Sequence, residues 1–94
     1  MEQIKERELS TIIDKMNNRN IRVRINGVIT AEFVMCSIKC KFNYRSGILM
    51  LIDKITGQKI TVQMVMAYII KASEDRQVIY IGIDNDEEIT ITNL

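Results

Sequence analysis

The sequence predicts an α+β fold: one N-terminal helix, then a strongly bent antiparallel meander of five to seven strands forming a small β-barrel or rolled sheet. Three observations predict it. Among 94 residues the apolar set is lopsided, with 18 Ile and 6 Val against 4 Leu and 3 Ala, and branching at Cβ suits a pleated surface better than a helix. The hydrophobic period is helical only in the first 17 residues and becomes two from Ile21 onward. Finally, a sheet this small with one long strand tends to close on itself, which removes its edges.

The helix is read over residues 2–17. Leu9, Ile12, Ile13 and Met16 recur on one face, with Glu2, Lys5, Glu6, Glu8 and Lys15 on the other. Glutamates in the first turns and Lys15 near the end match the macrodipole. Asn17, Asn18 and Asn20 stop it, because asparagine tolerates the left-handed conformation of a helix end. Ile21, Val23 and Ile25 then alternate with Arg22 and Arg24 as a half-buried strand, and Asn26-Gly27 predicts a type I′ hairpin turn. The next strand, Val28 to Phe42, is long enough to bend. Its register is expected to break near residues 30–33, after which Val34, Cys36, Ile38, Cys40 and Phe42 share a face opposite Met35, Ser37, Lys39 and Lys41.

Residues 43–47 form a turn, and Ile48 to Ile52 is apolar at every position, which predicts cover on both faces. Thr56-Gly57 turns the chain into a strand at 59–62. Residues 62–72 fit a helical and a strand template; the preferred reading is a short turn followed by a strand at 67–72. Two last strands, 78–83 and 89–92, are joined through the acidic turn at 84–88.

A chain of this length makes one domain, 1–94, with the helix at 2–17 and the meander at 21–92. Its 47% apolar content supports a true core. The N-terminus is charged, without the apolar stretch of a signal peptide, and the longest charge-free apolar run has 11 residues, too few to span a bilayer. A cytoplasmic protein without membrane contact is expected.

The helix, the run Ile21-Arg22-Val23-Arg24-Ile25-Asn26-Gly27-Val28 and the long bent strand resemble the opening of an Sm-like barrel of the Hfq type. The resemblance covers residues 5–72 in order of elements. It implies a helix on a bent five-stranded sheet, assembly into rings and RNA binding. The hairpin at 77–92 is an addition to that plan, and no binding residue of the family carries over.

Catalysis finds little support. With no histidine, the commonest general base and the commonest zinc ligand are both missing. No Ser or Cys has an identifiable base, and there is no Gly-rich phosphate loop. Cys36 and Cys40 on one strand would lie roughly 13 Å apart, too far to bridge. The run Asp84 to Glu88 lacks the glycine and distal glutamate of a calcium loop. No enzyme activity, metal or cofactor is expected.

Charge and apolar excess remain. The net charge of +1 argues against a global grip on polyanions. Residues 15–45, however, hold seven basic side chains against one acid. Arg19, Arg22, Arg24, Lys39, Lys41 and Arg45, with Tyr44 as a stacking surface, form a candidate patch for RNA or DNA backbone; a solvated outer face that guards an edge strand is the competing reading. Met35, Ile48, Met50, Ile52, Met64 and Met66 form a candidate oligomer or partner surface; a core two layers deep is the alternative. Two functions follow. One is a homo-oligomeric, non-catalytic module contacting nucleic acid through residues 19–45. The other is a protein-binding module or small inhibitor of the phage or mobile-element type, acting through the Met-rich strand or the 84–88 turn.

Overall fold

The computed structural model describes residues 1–16, 20–84 and 87–94. The helix α1 spans Glu6–Lys15 and is shorter at its start than its pattern predicts. Glu2–Gln3 instead form a short strand, β1, and the Ile4 N–H donates to the Ile70 carbonyl at 2.9 Å. Burying Ile4 keeps this segment extended. The Glu8 carboxylate accepts the Lys5 N–H at 2.7 Å, satisfying a donor at the helix start. Leu9, Ile12, Ile13 and Met16 are buried, as their spacing predicts.

Eight further strands follow: β2 (Asn20–Asn26), β3 (Ala31–Cys36), β4 (Ile38–Asn43), β5 (Ile48–Asp53), β6 (Lys59–Gln63), β7 (Ala67–Ala72), β8 (Val78–Ile83) and β9 (Glu87–Asn93). A 3₁₀ turn, Met64–Met66, precedes β7, in line with the preferred reading of that segment. The fold is α+β, with one short helix and nine strands among the described residues. All pairing is antiparallel, in two sheets of order β1-β7-β8-β9-β2-β3 and β4-β5-β6. The sheets do not close into a barrel. The strand count exceeds five to seven because β1 is added and the long strand divides in two.

That division occurs at Ser37, whose φ of +50° puts a non-glycine residue in the left-handed region. It reverses the side-chain alternation. Before it Met35 points inward and Val34 is 54% exposed; after it Ile38 and Cys40 point inward. The register therefore breaks at Ser37 and not near 30–33, and Val34 and Cys36 do not share a face with Ile38. Asp53, the one charged side chain buried among the described residues, holds the kink. One carboxylate oxygen accepts the Cys36 N–H at 3.1 Å, and the other accepts those of Ile55 and Thr56 at 2.9 and 3.1 Å. These bonds, that from Cys36 first, hold the Asp53 carboxyl below the usual carboxylate range.

The Asn26-Gly27 turn also differs from expectation. Asn26 stays in β2, in register with Glu88 of β9, and the last β2–β3 partners are Ile25 and Ala31. Gly27 does not adopt the positive φ that a type I′ turn requires. A central strand's second neighbour outweighs the local turn preference here.

One contiguous core lies between the sheets. Ile21, Val23, Ile79, Ile81 and Ile91 come from the six-stranded sheet, Ile38, Leu49 and Leu51 from the three-stranded one, and Leu9, Ile13 and Met16 from α1. Each such side chain contributes about 1.5–3 kcal/mol of burial. The helix packs chiefly on β4. It leaves the outer face of β5 uncovered, so Ile48, Met50 and Ile52 are only half-buried.

Candidate functional site

The predicted basic patch divides between two surfaces. Arg22 and Arg24 lie on the outward face of β2 in the six-stranded sheet, and Lys39 and Lys41 on the outward face of β4 in the other. Outer faces of two sheets that share one core point away from each other. The kink at Ser37 causes the separation by carrying the chain from one sheet into the other. Arg22 is further committed, its Nε lying 3.0 Å from Glu32 Oε1, and Arg24 sits opposite Glu32 in register. Arg19 lies outside the described residues.

The outward face of the three-stranded sheet is ordered in rows. Ile52 lies between Lys39 and Lys59, Met50 between Lys41 and Thr61, and Ile48 between Asn43 and Gln63. An apolar stripe on β5 is thus flanked by lysines on both neighbouring strands. From Ser37 to Met66 the chain holds Lys39, Lys41, Arg45, Lys54 and Lys59, and its only acid is Asp53. Asp53 is buried and its oxygens are engaged by backbone N–H groups. The sheet itself therefore supplies cations and no exposed acid; the nearest acids at its β6 edge, Asp84 and Glu87, come from the other sheet and share a groove with Thr61 and Gln63. Lys54 and Lys59 are absent from the sequence-derived site. A charge count restricted to 37–66 would have found them, but residues 51–94 as a whole are net acidic and conceal them.

At one end of this face the β4–β5 turn forms a groove of about 580 Å³, lined by Lys41, Phe42, Tyr44, Arg45, Ile48 and Met50, with Asn43 and Ser46 between them. Its shape follows from the turn. The Asn43 Oδ1 accepts the N–H groups of Arg45 and Ser46 at 2.9 and 3.2 Å, an Asx turn that fixes the following residues. Gly47, with φ +70°, closes the turn and accepts the Met64 N–H at 2.8 Å; a Cβ at this position would collide with Val65. Tyr44 is 75% exposed, its ring edge-on to Phe42 with centroids 4.8 Å apart. Lys41, Tyr44 and Arg45 are thus brought together, with Lys39 two residues along the same strand face. The groove offers an aromatic wall, an apolar floor and two cations, a combination suited to a planar ring joined to a phosphate.

The candidate interface residues separate as well. Met35 and Met64 are fully buried, so they belong to the core and present no partner surface. The Ser37 kink turns Met35 inward, and the 3₁₀ turn tucks Met64 beneath the sheet. Ile48, Met50 and Ile52 remain on the outward stripe, and Met66 is half-exposed. In the acidic turn, Asn85 and Asp86 lie outside the described residues. Glu88 is half-buried and accepts the Tyr80 hydroxyl at 2.7 Å, which, ahead of desolvation, pushes the Tyr80 phenol up to about 12.

Both cysteines are free. Burial pushes the Cys40 thiol up to about 11 despite the Ser10 hydroxyl 3.9 Å away, so it is a poor nucleophile. Cys36 Sγ donates to Asn20 Oδ1 at 2.9 Å. Among the described residues no three Cys, Asp or Glu side chains gather to hold a metal ion, and no helix is long and apolar enough to cross a membrane. The fold and this face define a small α+β protein of two antiparallel sheets, the smaller of which carries lysines on its outward face. Comparison with protein-family models, curated proteins and solved structures found no match.

Proposed function

We propose that this chain is a non-catalytic binding module that contacts RNA or DNA backbone through the outward face of the three-stranded sheet. The observation that carries the reading is the placement of Lys39, Lys41, Arg45 and Lys59, with no exposed acid from the sheet's own strands and turns, around an apolar stripe that ends in the acid-free Tyr44 groove. Cations track phosphates, and an exposed aromatic ring stacks a base that is not paired, so the ligand is single-stranded. Arg22 and Arg24 drop out of the site because they lie on the other sheet, where Arg22 is paired with Glu32. An Sm-like origin belongs to the same proposal. The leading helix, the β2–β3 pair and the bend at Ser37 support it, whereas the open sheets and the β8–β9 addition depart from it.

Light scattering of the protein with a mixed-length single-stranded RNA, at low and moderate salt, tests this. A complex that dissociates as salt rises is expected. It should be weakened in Lys41→Gln/Arg45→Gln and unchanged in Arg22→Gln/Arg24→Gln. No complex at low salt would refute it.

The second reading, a self-associating or protein-binding module, is favoured by the half-exposed stripe Ile48, Met50 and Ile52 and by β6, an edge strand unpaired on one side among the described residues. A particle mass that is a multiple of the 10.9 kDa protomer in the same scattering run, lowered by Met50→Glu, is the expected signature of self-association.

A further inference from the structure

Building on the nucleic-acid reading above, we infer that the binding track continues past the β4–β5 turn, over Tyr44, to a second base-stacking station at Tyr68 flanked by Lys5 and Arg7. Tyr44 is the joint. It lines the groove already described and also a second one, of about 460 Å³, whose other walls come from the segment before α1, the first turn of α1 and β7. The two depressions share this wall, so a strand laid along the first reaches the second across one tyrosine ring.

The second groove repeats the chemistry of the first. Lys41 and Arg45 accompany Tyr44, and Lys5 and Arg7 accompany Tyr68; Glu6 is the single acid in that lining. Tyr68 is 64% exposed although it belongs to a strand. Its ring is held by Gly82, the neighbour of Ile69 across the β7–β8 ladder. A Cβ at Gly82 would come within 2.8 Å of Tyr68 Cζ and 2.9 Å of its hydroxyl, so the ring end lies over bare backbone. Glycine within a strand costs stability, and an aromatic ring laid across it recovers cover. The result is a tyrosine seated on the sheet with most of its surface still in water, as a stacking platform requires.

Two exposed rings, each in a groove with two cations, match a single strand with successive bases splayed out. The Tyr68 hydroxyl end faces Tyr80, which donates to Glu88, so the cations lie on the Lys5 and Arg7 side of the ring. A duplex keeps its bases stacked inside and would offer neither ring a face. A protein partner would have no need of paired cations beside each ring. The span calls for a strand of at least about 4 nucleotides.

Fluorescence anisotropy with a labelled twelve-residue oligothymidylate, and with its abasic counterpart of equal charge, tests the inference. Tyr68→Leu keeps apolar cover over Gly82, and Arg7→Gln is an exposed change; circular dichroism and thermal melting check that both fold. Tyr68→Leu should weaken oligothymidylate binding about tenfold and leave abasic binding unchanged. Arg7→Gln should reduce the salt slope by about 0.7. If the wild type binds and Lys41→Gln/Arg45→Gln weakens it, but Tyr68→Leu and Arg7→Gln behave as wild type, the track ends at Tyr44. This inference then falls and the function above stands. Equal weakening toward both probes by Tyr68→Leu also overturns it, since the contact is then not stacking. If the wild type binds neither probe at low salt, both proposals fall and a protein partner takes their place.

Discussion

Replacing Lys41 and Arg45 by glutamine should halve the salt dependence that the three-stranded face contributes to single-strand binding, a loss of about 1.4 from the slope whatever further contacts the strand makes. The magnitude follows from the structure. Lys39, Lys41, Arg45 and Lys59 lie on or beside one outward face, without an exposed acid on the same sheet. Each phosphate neutralised on a single strand contributes about 0.7 to the slope of log K against log salt. Four contacts give a slope of about −2.8, or roughly 50-fold weaker binding between 50 and 200 mM salt. With two removed the slope is about −1.4 and the loss roughly sevenfold. The assay is an anisotropy titration of a labelled oligonucleotide at four or more salt concentrations. Both residues are exposed, so the fold should be unaffected. Arg22→Gln/Arg24→Gln is the control, because both arginines lie on the other sheet and Arg22 is paired with Glu32. An unchanged slope in the first variant, or an equal loss in the control, would refute the assignment of the face.

Other consequences concern the scaffold. Asp53→Asn should lower the melting temperature at pH 7. Because the folded carboxyl titrates below its ordinary value, its stabilisation is present above the unfolded pKa and is lost as pH falls through the folded one. The gap between wild type and variant should therefore close on acidification below the usual carboxylate range; parallel melting curves from pH 7 to pH 2 would contradict the role given to the carboxylate. Gly82→Ala should cost about 1–3 kcal/mol by forcing Tyr68 and Ile69 aside. Part of that cost should vanish in a Tyr68→Ala background, and an additive double-mutant cycle by thermal melting would count against the contact. In thiol labelling of the folded protein at pH 8, Cys36 should react well before Cys40, whose thiol is buried and stays protonated. Equal rates would mean that α1 does not cover β4 as described.

Periodicity carried far here, and its failures share one cause. Leu9, Ile12, Ile13 and Met16 declared the inner face of α1, and Ile21 and Val23 that of β2, because each signal is complete within one element. The kink at Ser37 is different. Serine carries no local mark of a positive φ, and the carboxylate that holds the kink comes from Asp53, on another strand. Missing it placed Met35 outward and joined Lys39 and Lys41 to Arg22 and Arg24. The Asn26-Gly27 signal failed for a similar reason, since β9 pairs with Asn26 from far along the chain. Within the candidate site, Lys41, Tyr44 and Arg45 were legible as neighbours in sequence. Lys59 enters through register across β5, and Lys5, Arg7 and Tyr68 through packing of the N-terminal segment on β7, neither of which a linear pattern encodes.

The most direct test of the cationic face is a residue-resolved amide spectrum of the labelled protein titrated with a single-stranded oligonucleotide at low salt. The account predicts shifts concentrated in 39–45, 48–52 and 59–61, reversed by added salt. Shifts confined to β2 and β3, or none at all, would contradict it.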